Sequence, residues 1–295
     1  MEVKLASKRG FCFGVEDAIE LAQRTLKANE PGRVAALGPV IHNQQVVEKL
    51  QREGLDQSGR LEDLPPGSTV LIRSHGVGPE IYEQARRQGL QVADATCVLV
   101  KRAQTVVRQL HEEGYQVVMI GDREHPEVKG VIGYAPDVIV VDGEDDLERV
   151  LPRRARLGIV AQTTHAPDHV ARMIGAIAAL PFRELKVVNT LCLEVIRRQE
   201  AAAELCREVD VMFVLGGLHS ANTRELAAIC QKQGLPTYHL ECWEQFRPEM
   251  VRGHRVAGIT AGASTPDDVI NEFAGQLRAF PAPPPAAGNP EKVSG

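Results

Sequence analysis

Aromatic residues are scarce in this chain: they make up 4% of its 295 residues, and tryptophan occurs once. This scarcity, with 43% of the residues hydrophobic, suits parallel strands of Val, Ile and Ala covered by helices. The chain also lacks a long uncharged apolar run and a cationic leader with an apolar core, so we expect neither export nor membrane spanning. A formal net charge of -5 disfavours non-specific nucleic-acid binding. These absences predict a cytoplasmic protein with no membrane and no nucleic-acid partner.

The six cysteines are too few for the disulfide framework of a small secreted domain, and none lies in a Cys-x-x-Cys pair. In a reducing compartment they are predicted to be metal ligands, reactive thiols or core residues. Cys12, Cys97 and Cys192 recur at intervals of roughly a third of the chain, each between an apolar run and a helical pattern. Because amides at a helix N-terminus stabilise a thiolate, these three are the candidate ligands.

Three copies of one α/β unit are predicted along the chain. After each of these cysteines, a helical stripe of apolar residues is followed by a strand, a glycine and a histidine. In the third copy the closing strand must come from the N-terminus, residues 3–12. The predicted fold class is therefore α/β, with three small domains in a pseudo-threefold, trefoil-like ring around a central metal site. The predicted domains are residues 13–97, 98–192 and 193–280 plus 1–12, followed by a disordered tail at 281–295.

Polar side chains follow the ends of the other predicted strands. If the carboxyl ends of all strands face the middle of the ring, these side chains gather in one pocket. Hydroxyls, amides and imidazoles at helix starts suit a phosphate or diphosphate, because backbone amides also point at the anion. The candidates are His42, Asn43, Ser74, His75, His125, Glu127, Thr163, Thr164, Ser220, Asn222 and Ser264. Glu127 is the only acid among them, and in a water-poor pocket it could hold and donate a proton.

The three cysteines are compatible with two kinds of metal centre. Three thiolates can hold zinc with a fourth ligand, or an iron–sulfur cluster in which one iron has no protein ligand. Spacing alone leaves both open, although widely separated single ligands favour a cluster at the centre of the fold. An open iron would act as a Lewis acid and conduct electrons to a substrate.

Nine short motifs, in order along the chain, resemble those of the LytB/IspH family of 4-hydroxy-3-methylbut-2-enyl diphosphate reductases. The motifs are Gly10-Phe11-Cys12-Phe13-Gly14-Val15, Ile41-His42-Asn43, Ser74-His75-Gly76-Val77, Asp94-Ala95-Thr96-Cys97, His125-Pro126-Glu127-Val128, Gln162-Thr163-Thr164, Asn189-Thr190-Leu191-Cys192, Arg198-Gln199 and Thr260-Ala261-Gly262-Ala263-Ser264. Each motif is weak by itself, but the ordered set, from about Val3 to Leu277, is highly specific.

The resemblance implies an iron–sulfur oxidoreductase with a central [4Fe-4S] cluster bound by Cys12, Cys97 and Cys192. The fourth iron would bind the terminal hydroxyl of an allylic diphosphate substrate, and ferredoxin or flavodoxin would deliver two electrons singly. Catalytic protonation by Glu127, His125 and Thr163 would expel water. The products would be isopentenyl and dimethylallyl diphosphate, in the last step of the methylerythritol phosphate pathway to isoprenoids. The implied substrate-binding residues are His42, His75, His125, Thr163, Ser220, Asn222 and Ser264.

The chain departs from the family's pattern at three places, which include five residues. Val98 replaces the proline that usually follows the second cysteine, Leu193-Glu194-Val195 replaces a small or aromatic residue followed by Ala-Thr, and Ala221 replaces a serine. The missing hydroxyl removes a hydrogen bond to a charged group, typically worth about 1.5–3 kcal/mol, and Glu194 would repel nearby negative charge. Two alternatives follow: a cluster-containing paralogue with a different substrate, and a non-enzymatic redox-sensing or structural metal protein.

Overall fold

The computed structural model describes residues 1–57, 60–150 and 156–280, so the predicted disordered tail at 281–295 lies outside the described residues. Strands and helices alternate along these ranges. The strands are β1 (Glu2–Leu5), β2 (Val34–Ala36), β3 (Thr69–Ile72), β4 (Gln91–Asp94), β5 (Gln116–Ile120), β6 (Ile139–Val141), β7 (Arg156–Ala161), β8 (Glu184–Val187), β9 (Val211–Leu215), β10 (Thr237–Leu240) and β11 (Val256–Ala261). The helices are α1 (Phe13–Ala28), α2 (Gln44–Arg52), α3 (Pro79–Arg87), α4 (Val98–Glu112), α5 (Pro126–Ile132), α6 (Pro167–Ala178), α7 (Leu193–Leu205), α8 (Ala221–Lys232) and α9 (Asp267–Ala279).

The strands form parallel sheets with the orders β2-β3-β4, β6-β5-β7-β8 and β1-β11-β9-β10, which confirms the predicted α/β class. As the repeat predicts, the N-terminal strand lies in the third sheet: Glu2 pairs with Val256 and Leu5 with Ile259. That strand is shorter than predicted, because it ends at Leu5 rather than at Cys12. A stretch without strand pairing follows, and it lets Cys12 lie at the start of a helix.

Two compact units divide the chain: a larger unit, Cys12–Ile196, and a smaller unit, Met1–Phe11 with Arg197–Gly295. The sheets β2-β3-β4 and β6-β5-β7-β8 belong to the larger unit. The sheet that contains β1 and β11 belongs to the smaller unit. The finer division of the larger unit at residue 97, and the exact borders of the three predicted domains, stay a prediction.

In the larger unit, β5 is buried along its whole length between two helical layers. Val117 and Met119 lie in the core formed with α4 and α5, whereas Val118 and Ile120 lie in the core formed with α6. Alternate side chains of a strand point to opposite faces, so a continuous apolar run is expected where helices cover both faces. This packing holds the carboxyl end of β5, and the loop after it, at the edge of a sheet that helices cover on both faces.

The helices are amphipathic, as their apolar periodicity predicts. In α4, Val100, Ala103, Val107 and Leu110 are buried and form the stripe expected from the sequence. In the described ranges, none of the helices has both the length and the apolarity that crossing a membrane requires.

The few aromatic residues concentrate in the core of the smaller unit. Trp243 stacks on Phe246 with ring centroids 4.4 Å apart and meets Phe273 edge-on at 5.1 Å. Phe213 of β9 also packs against Phe273, with ring centroids 5.4 Å apart. These contacts cover the face of the third sheet that packs against α9.

Candidate functional site

The three predicted ligand cysteines lie in the larger unit, and each immediately precedes a helix: Cys12 precedes α1, Cys97 precedes α4 and Cys192 precedes α7. Their carbonyls accept the first helical hydrogen bonds, for example from Ile196 N–H to Cys192 at 3.0 Å. The preceding strands β4 and β8 end three and five residues earlier, at Asp94 and Val187. All three cysteines are free thiols. The structure thus places each sulfur at a helix N-terminus, where amides stabilise negative charge.

Cys12 and Cys192 act electrostatically on the Cys97 thiol. Burial raises the pKa of the Cys97 thiol, the N–H groups of Leu99 and Val100 lower it, and the charges of Cys12 and Cys192 raise it again. Gly14 explains how the sulfurs can approach: a Cβ at this position would lie 2.8 Å from the Cys97 Sγ. The structure therefore brings the three predicted ligands close together. A side chain at position 14 would collide with the Cys97 sulfur, so a glycine is needed there.

Glu127 is connected to the third cysteine through Thr163. The buried Glu127 carboxylate accepts the Thr163 N–H at Oε1, 2.7 Å away, and the Thr163 hydroxyl at Oε2, 2.8 Å away. The Thr163 carbonyl in turn accepts the Cys192 N–H at 2.9 Å. Burial raises the pKa of Glu127, and the two hydrogen bonds from Thr163 oppose that shift without cancelling it. The carboxyl group is therefore arranged to hold a proton.

Three predicted histidines cluster in the same unit. The ring centroid of His75 lies 4.5 Å from that of His42 and 5.6 Å from that of His125. Burial, the other two imidazoles and Arg73 together lower the pKa of His75 well below its ordinary value. One ligand nitrogen of each ring lies within 4.8 Å of the others, so the cluster could accept a metal ion or, once protonated, an anion.

The tautomer of His125 is determined by a helix cap. Its Nδ1 accepts the backbone N–H of Glu127 at 3.1 Å at the start of α5. A neutral His125 ring must therefore carry its proton on Nε2. From that position it can donate a hydrogen bond to a bound oxygen atom.

Three other predicted pocket residues form hydrogen bonds with their own or neighbouring loops. The Asn43 side chain caps α2 by accepting the Val46 N–H at 3.1 Å, and the Ser74 hydroxyl donates to the Val40 carbonyl at 3.1 Å. The Thr164 hydroxyl accepts a hydrogen bond from the Gln162 amide at 3.1 Å. Because Asn43 and Ser74 directly adjoin His42 and His75 in sequence, their local bonds hold the backbone that carries these imidazoles.

The remaining predicted residues, Ser220, Asn222 and Ser264, belong to the smaller unit. The Ser220 hydroxyl accepts the Thr223 N–H at 3.3 Å and so caps α8. Asn222 is buried, and neither its amide nitrogen nor its amide oxygen makes a hydrogen bond within the described ranges. A bound ligand would satisfy such a buried unpaired amide. The shared role of these three residues with the histidines stays a prediction.

Arg198 is a positioning residue to which the sequence pattern alone assigns no role. Its side chain is fully buried, and Nη2 donates to the carbonyls of Gly10 at 2.9 Å and Phe11 at 3.1 Å. These contacts hold the backbone immediately before Cys12. The signal in the sequence is a charged residue on the otherwise apolar side of a helical stripe, a placement that requires satisfied hydrogen bonds.

Comparison with known proteins gives a consistent assignment. The model of the family described as LytB protein matches residues 3–278. The chain belongs to the LytB family. It is similar to the 4-hydroxy-3-methylbut-2-enyl diphosphate reductase of Aquifex aeolicus (strain VF5), with 43% identity over 282 residues, 94% of this chain and 96% of that protein. The enzyme of the same name from Caldanaerobacter subterraneus is 40% identical over 283 residues, 95% of this chain and 98% of that protein.

Solved structures agree with the LytB assignment. A structure of (E)-4-hydroxy-3-methyl-but-2-enyl diphosphate reductase, described as the terminal enzyme of the non-mevalonate pathway, has 43% identity and a TM-score of 0.70 over 95% of this chain and 99% of that chain. The corresponding reductase of Plasmodium falciparum has 27% identity and a TM-score of 0.89 over 99% of this chain and 95% of that chain. The predicted family and fold class are therefore confirmed.

Proposed function

We propose that this LytB protein reduces (E)-4-hydroxy-3-methylbut-2-enyl diphosphate to isopentenyl and dimethylallyl diphosphate, the last step of the non-mevalonate pathway. The bond between carbon and the terminal oxygen breaks, and a carbon–hydrogen bond forms. Two electrons and two protons enter: one proton leaves with the oxygen as water, and the other stays on carbon. The observation that carries this proposal is the buried Glu127, held by Thr163, whose carbonyl accepts the Cys192 N–H.

A [4Fe-4S] cluster is the proposed cofactor, and the residues present fit it. Cys12, Cys97 and Cys192 offer thiolates at three helix N-termini, and Gly14 leaves the space beside the Cys97 sulfur open. Soft thiolate ligands suit iron–sulfur clusters. When bound, the cluster supplies the electrons and an iron without a protein ligand, which acts as a Lewis acid.

Glu127 is the proposed proton donor. Its raised pKa keeps it protonated at a pH where an exposed glutamate is ionised, and its burial limits proton exchange with water. Hydroxide is a poor leaving group, so protonation of the departing oxygen lowers the barrier. Thr163 orients the carboxyl group through two hydrogen bonds.

His42, His75 and His125 are proposed to bind the diphosphate. The three ring centroids lie 4.5 to 6.0 Å from one another. Because His125 Nδ1 accepts the Glu127 N–H, a neutral His125 ring carries its proton on Nε2. A bound anion would raise the pKa of the neutral His75 and so add a charge-assisted hydrogen bond. Ser220, Asn222 and Ser264 are proposed as further diphosphate ligands, which the unpaired Asn222 amide supports.

The proposed electron donor is a small redox protein, ferredoxin or flavodoxin, in the cytoplasm. The residue after each cysteine is apolar and exposed: Phe13 by 41%, Val98 by 59% and Leu193 by 64%. We refer to these three side chains as the apolar rim. Exposed apolar side chains beside a redox centre favour docking of a partner over contact with water.

Anaerobic turnover tests the proposed activity. Protein with four irons per chain is mixed with the allylic diphosphate and reduced ferredoxin, and the products are identified by mass spectrometry. Formation of isopentenyl and dimethylallyl diphosphate is expected. A fully loaded preparation that forms neither product would contradict the proposal.

Two departures keep a paralogue with another substrate as the alternative. Ala221 is the first residue of α8 and supplies no hydroxyl beside Ser220, and Glu194 adds a negative charge two residues after Cys192. Mössbauer spectroscopy distinguishes the reductase from such a paralogue. Addition of the allylic diphosphate should change the signal of one iron of four in the reductase, and should leave the spectrum unchanged in the paralogue.

A further inference from the structure

A second group of metal-ligating side chains lies apart from the cysteines and from the histidine cluster. Asp142 directly follows β6, His165 lies in the loop after β7, and His169 lies in the first turn of α6. One ligand atom of each residue lies within 4.8 Å of the other two. All three residues belong to the larger unit, on the same sheet as the Glu127 site.

The geometry directs two imidazoles at one carboxylate oxygen. The Asp142 Oδ1 lies 3.4 Å from His165 Nε2 and 3.6 Å from His169 Nε2, and the two ring centroids are 5.0 Å apart. Both Nε2 atoms are shielded from solvent, and neither makes a hydrogen bond with any described residue. Buried nitrogens without partners are costly, so this arrangement calls for a group that satisfies both at once.

The ligand types suit a cation. A neutral imidazole binds a metal ion through its unprotonated nitrogen, and the Asp142 carboxylate beside both rings supplies negative charge. A metal ion would accept a lone pair from each of the two Nε2 atoms, neither of which makes a hydrogen bond with a described residue.

We propose that Asp142, His165 and His169 bind one divalent transition-metal ion, with zinc as the best match. Two imidazoles and one carboxylate are a ligand set that zinc uses in proteins, with water in the fourth position. The Asp142 side chain is half exposed, so water can reach that position. The bound ion would tie the end of β6 to the loop after β7.

This site would stabilise the loop that holds the proton donor. Thr163, which binds Glu127 and accepts the Cys192 N–H, lies two residues before His165. The same loop is held by Gln162, whose Oε1 accepts the Asp122 N–H at 3.1 Å. A metal ion at His165 would add a second anchor, so we infer a structural rather than a catalytic role.

Zinc binding to the cluster-loaded protein tests the proposal. The protein is dialysed anaerobically against Zn²⁺, and zinc and iron per chain are counted by mass spectrometry. The wild type is expected to retain one zinc more than the His165→Ala/His169→Ala variant, with equal iron in both. His111→Ala changes a histidine on α4 outside the cluster and should retain the zinc.

Further variants separate this site from the other possible ligands. Asp142→Asn preserves shape and should weaken zinc binding at least about tenfold in a chelator competition. His75→Gln, which disrupts the other histidine cluster, should leave the zinc content unchanged. X-ray absorption at the zinc edge should show nitrogen and oxygen ligands, without sulfur at about 2.3 Å. Equal zinc in the wild type and the double variant, no zinc in either, or sulfur ligands would overturn the proposal. Because zinc and iron are counted directly, this result does not depend on turnover.

Discussion

Glu127 shows how one residue acquires its chemistry from its surroundings. Its position in the first turn of α5 favours a negative charge, yet its burial favours the protonated form. Burial is the larger effect here. The neighbouring His125 caps the same helix with Nδ1, so one short turn carries the proposed proton donor Glu127 and a histidine whose neutral ring is protonated on Nε2.

Replacing Glu127 with Gln should lower kcat by about 10²–10⁴-fold, the usual contribution of a positioned acid. The amide preserves the size of the side chain but cannot donate an acidic proton. Anaerobic turnover and iron content should be measured together, with four irons per chain expected in both proteins. Glu124→Gln is the matched control, because that glutamate is exposed and forms an ion pair with Lys129 of α5. Unchanged kcat in Glu127→Gln would favour the non-enzymatic alternative.

The direction of the Glu127 pKa shift predicts the pH profile. Since the pKa is raised, the proton is present at low pH and is lost as pH rises through that raised pKa. The wild-type kcat should therefore decrease above it, with a midpoint higher than the ordinary glutamate value. Glu127→Gln should lack this decrease. A wild-type kcat that instead rises through the same range would contradict the assignment.

At the scale of elements, the chain has the same arrangement at each of the three junctions between a cysteine and the helix that follows it. The cysteine stands before the first helical residue, and that residue is one of the apolar rim. A single exposed apolar side chain is ordinary on a protein surface. Three of them, each adjoining a proposed cluster ligand, support the proposal that a redox partner docks beside the cysteines.

Leu193→Gln should weaken docking of the electron donor without affecting the chemistry. We expect the ferredoxin concentration at half-maximal rate to rise about tenfold, which corresponds to about 1.4 kcal/mol. The rate with dithionite should stay unchanged, because a small reductant needs no docking surface. Val187→Gln changes an exposed valine on β8 in the same unit and should alter neither rate. Equal losses with both reductants would indicate damage to the site rather than to docking.

At the scale of the whole molecule, the first residues of the chain complete the sheet that its last residues form. In the smaller unit, Val3 and Leu5 pack against the core that includes Phe273 and Ile259. The N-terminal ammonium group also donates to the carbonyls of Arg278 and Phe280. The N-terminal segment therefore both completes this unit and leads directly into Cys12.

Deleting residues 2–6 should destabilise the smaller unit by about 2–4 kcal/mol, because two partly buried apolar side chains and one strand are lost. Urea unfolding followed by the fluorescence of Trp243 reports on this unit, since it is the only tryptophan and lies against Phe246. Lys4→Ala is the control: it removes an exposed ion pair with Glu208 and should leave the midpoint almost unchanged. An unchanged midpoint after the deletion would show that β1 contributes little.

Periodic patterns explain how much of this molecule can be predicted from the chain alone. The stripe of α4 and the apolar run of β5 are local signals, and burial enforces them. The N-terminal closing strand follows from counting the repeats. The placement of Asn43 in a ligand pocket stays a prediction, and the structure adds that its Oδ1 caps α2. Helix caps and ligand residues are chemically alike, so composition cannot separate them.

The sequence by itself determined the α/β class, the N-terminal closing strand and the family, because each is encoded in neighbouring residues or in their order; it also predicts the three cysteines as ligands. Only the tertiary structure decided which distant groups meet. It joins Glu127 to Cys192 through Thr163, and it brings Asp142 to His165. The reason is physical: such contacts depend on strand register and on loops that leave the sheet, and these arise from packing of the whole unit rather than from any local pattern.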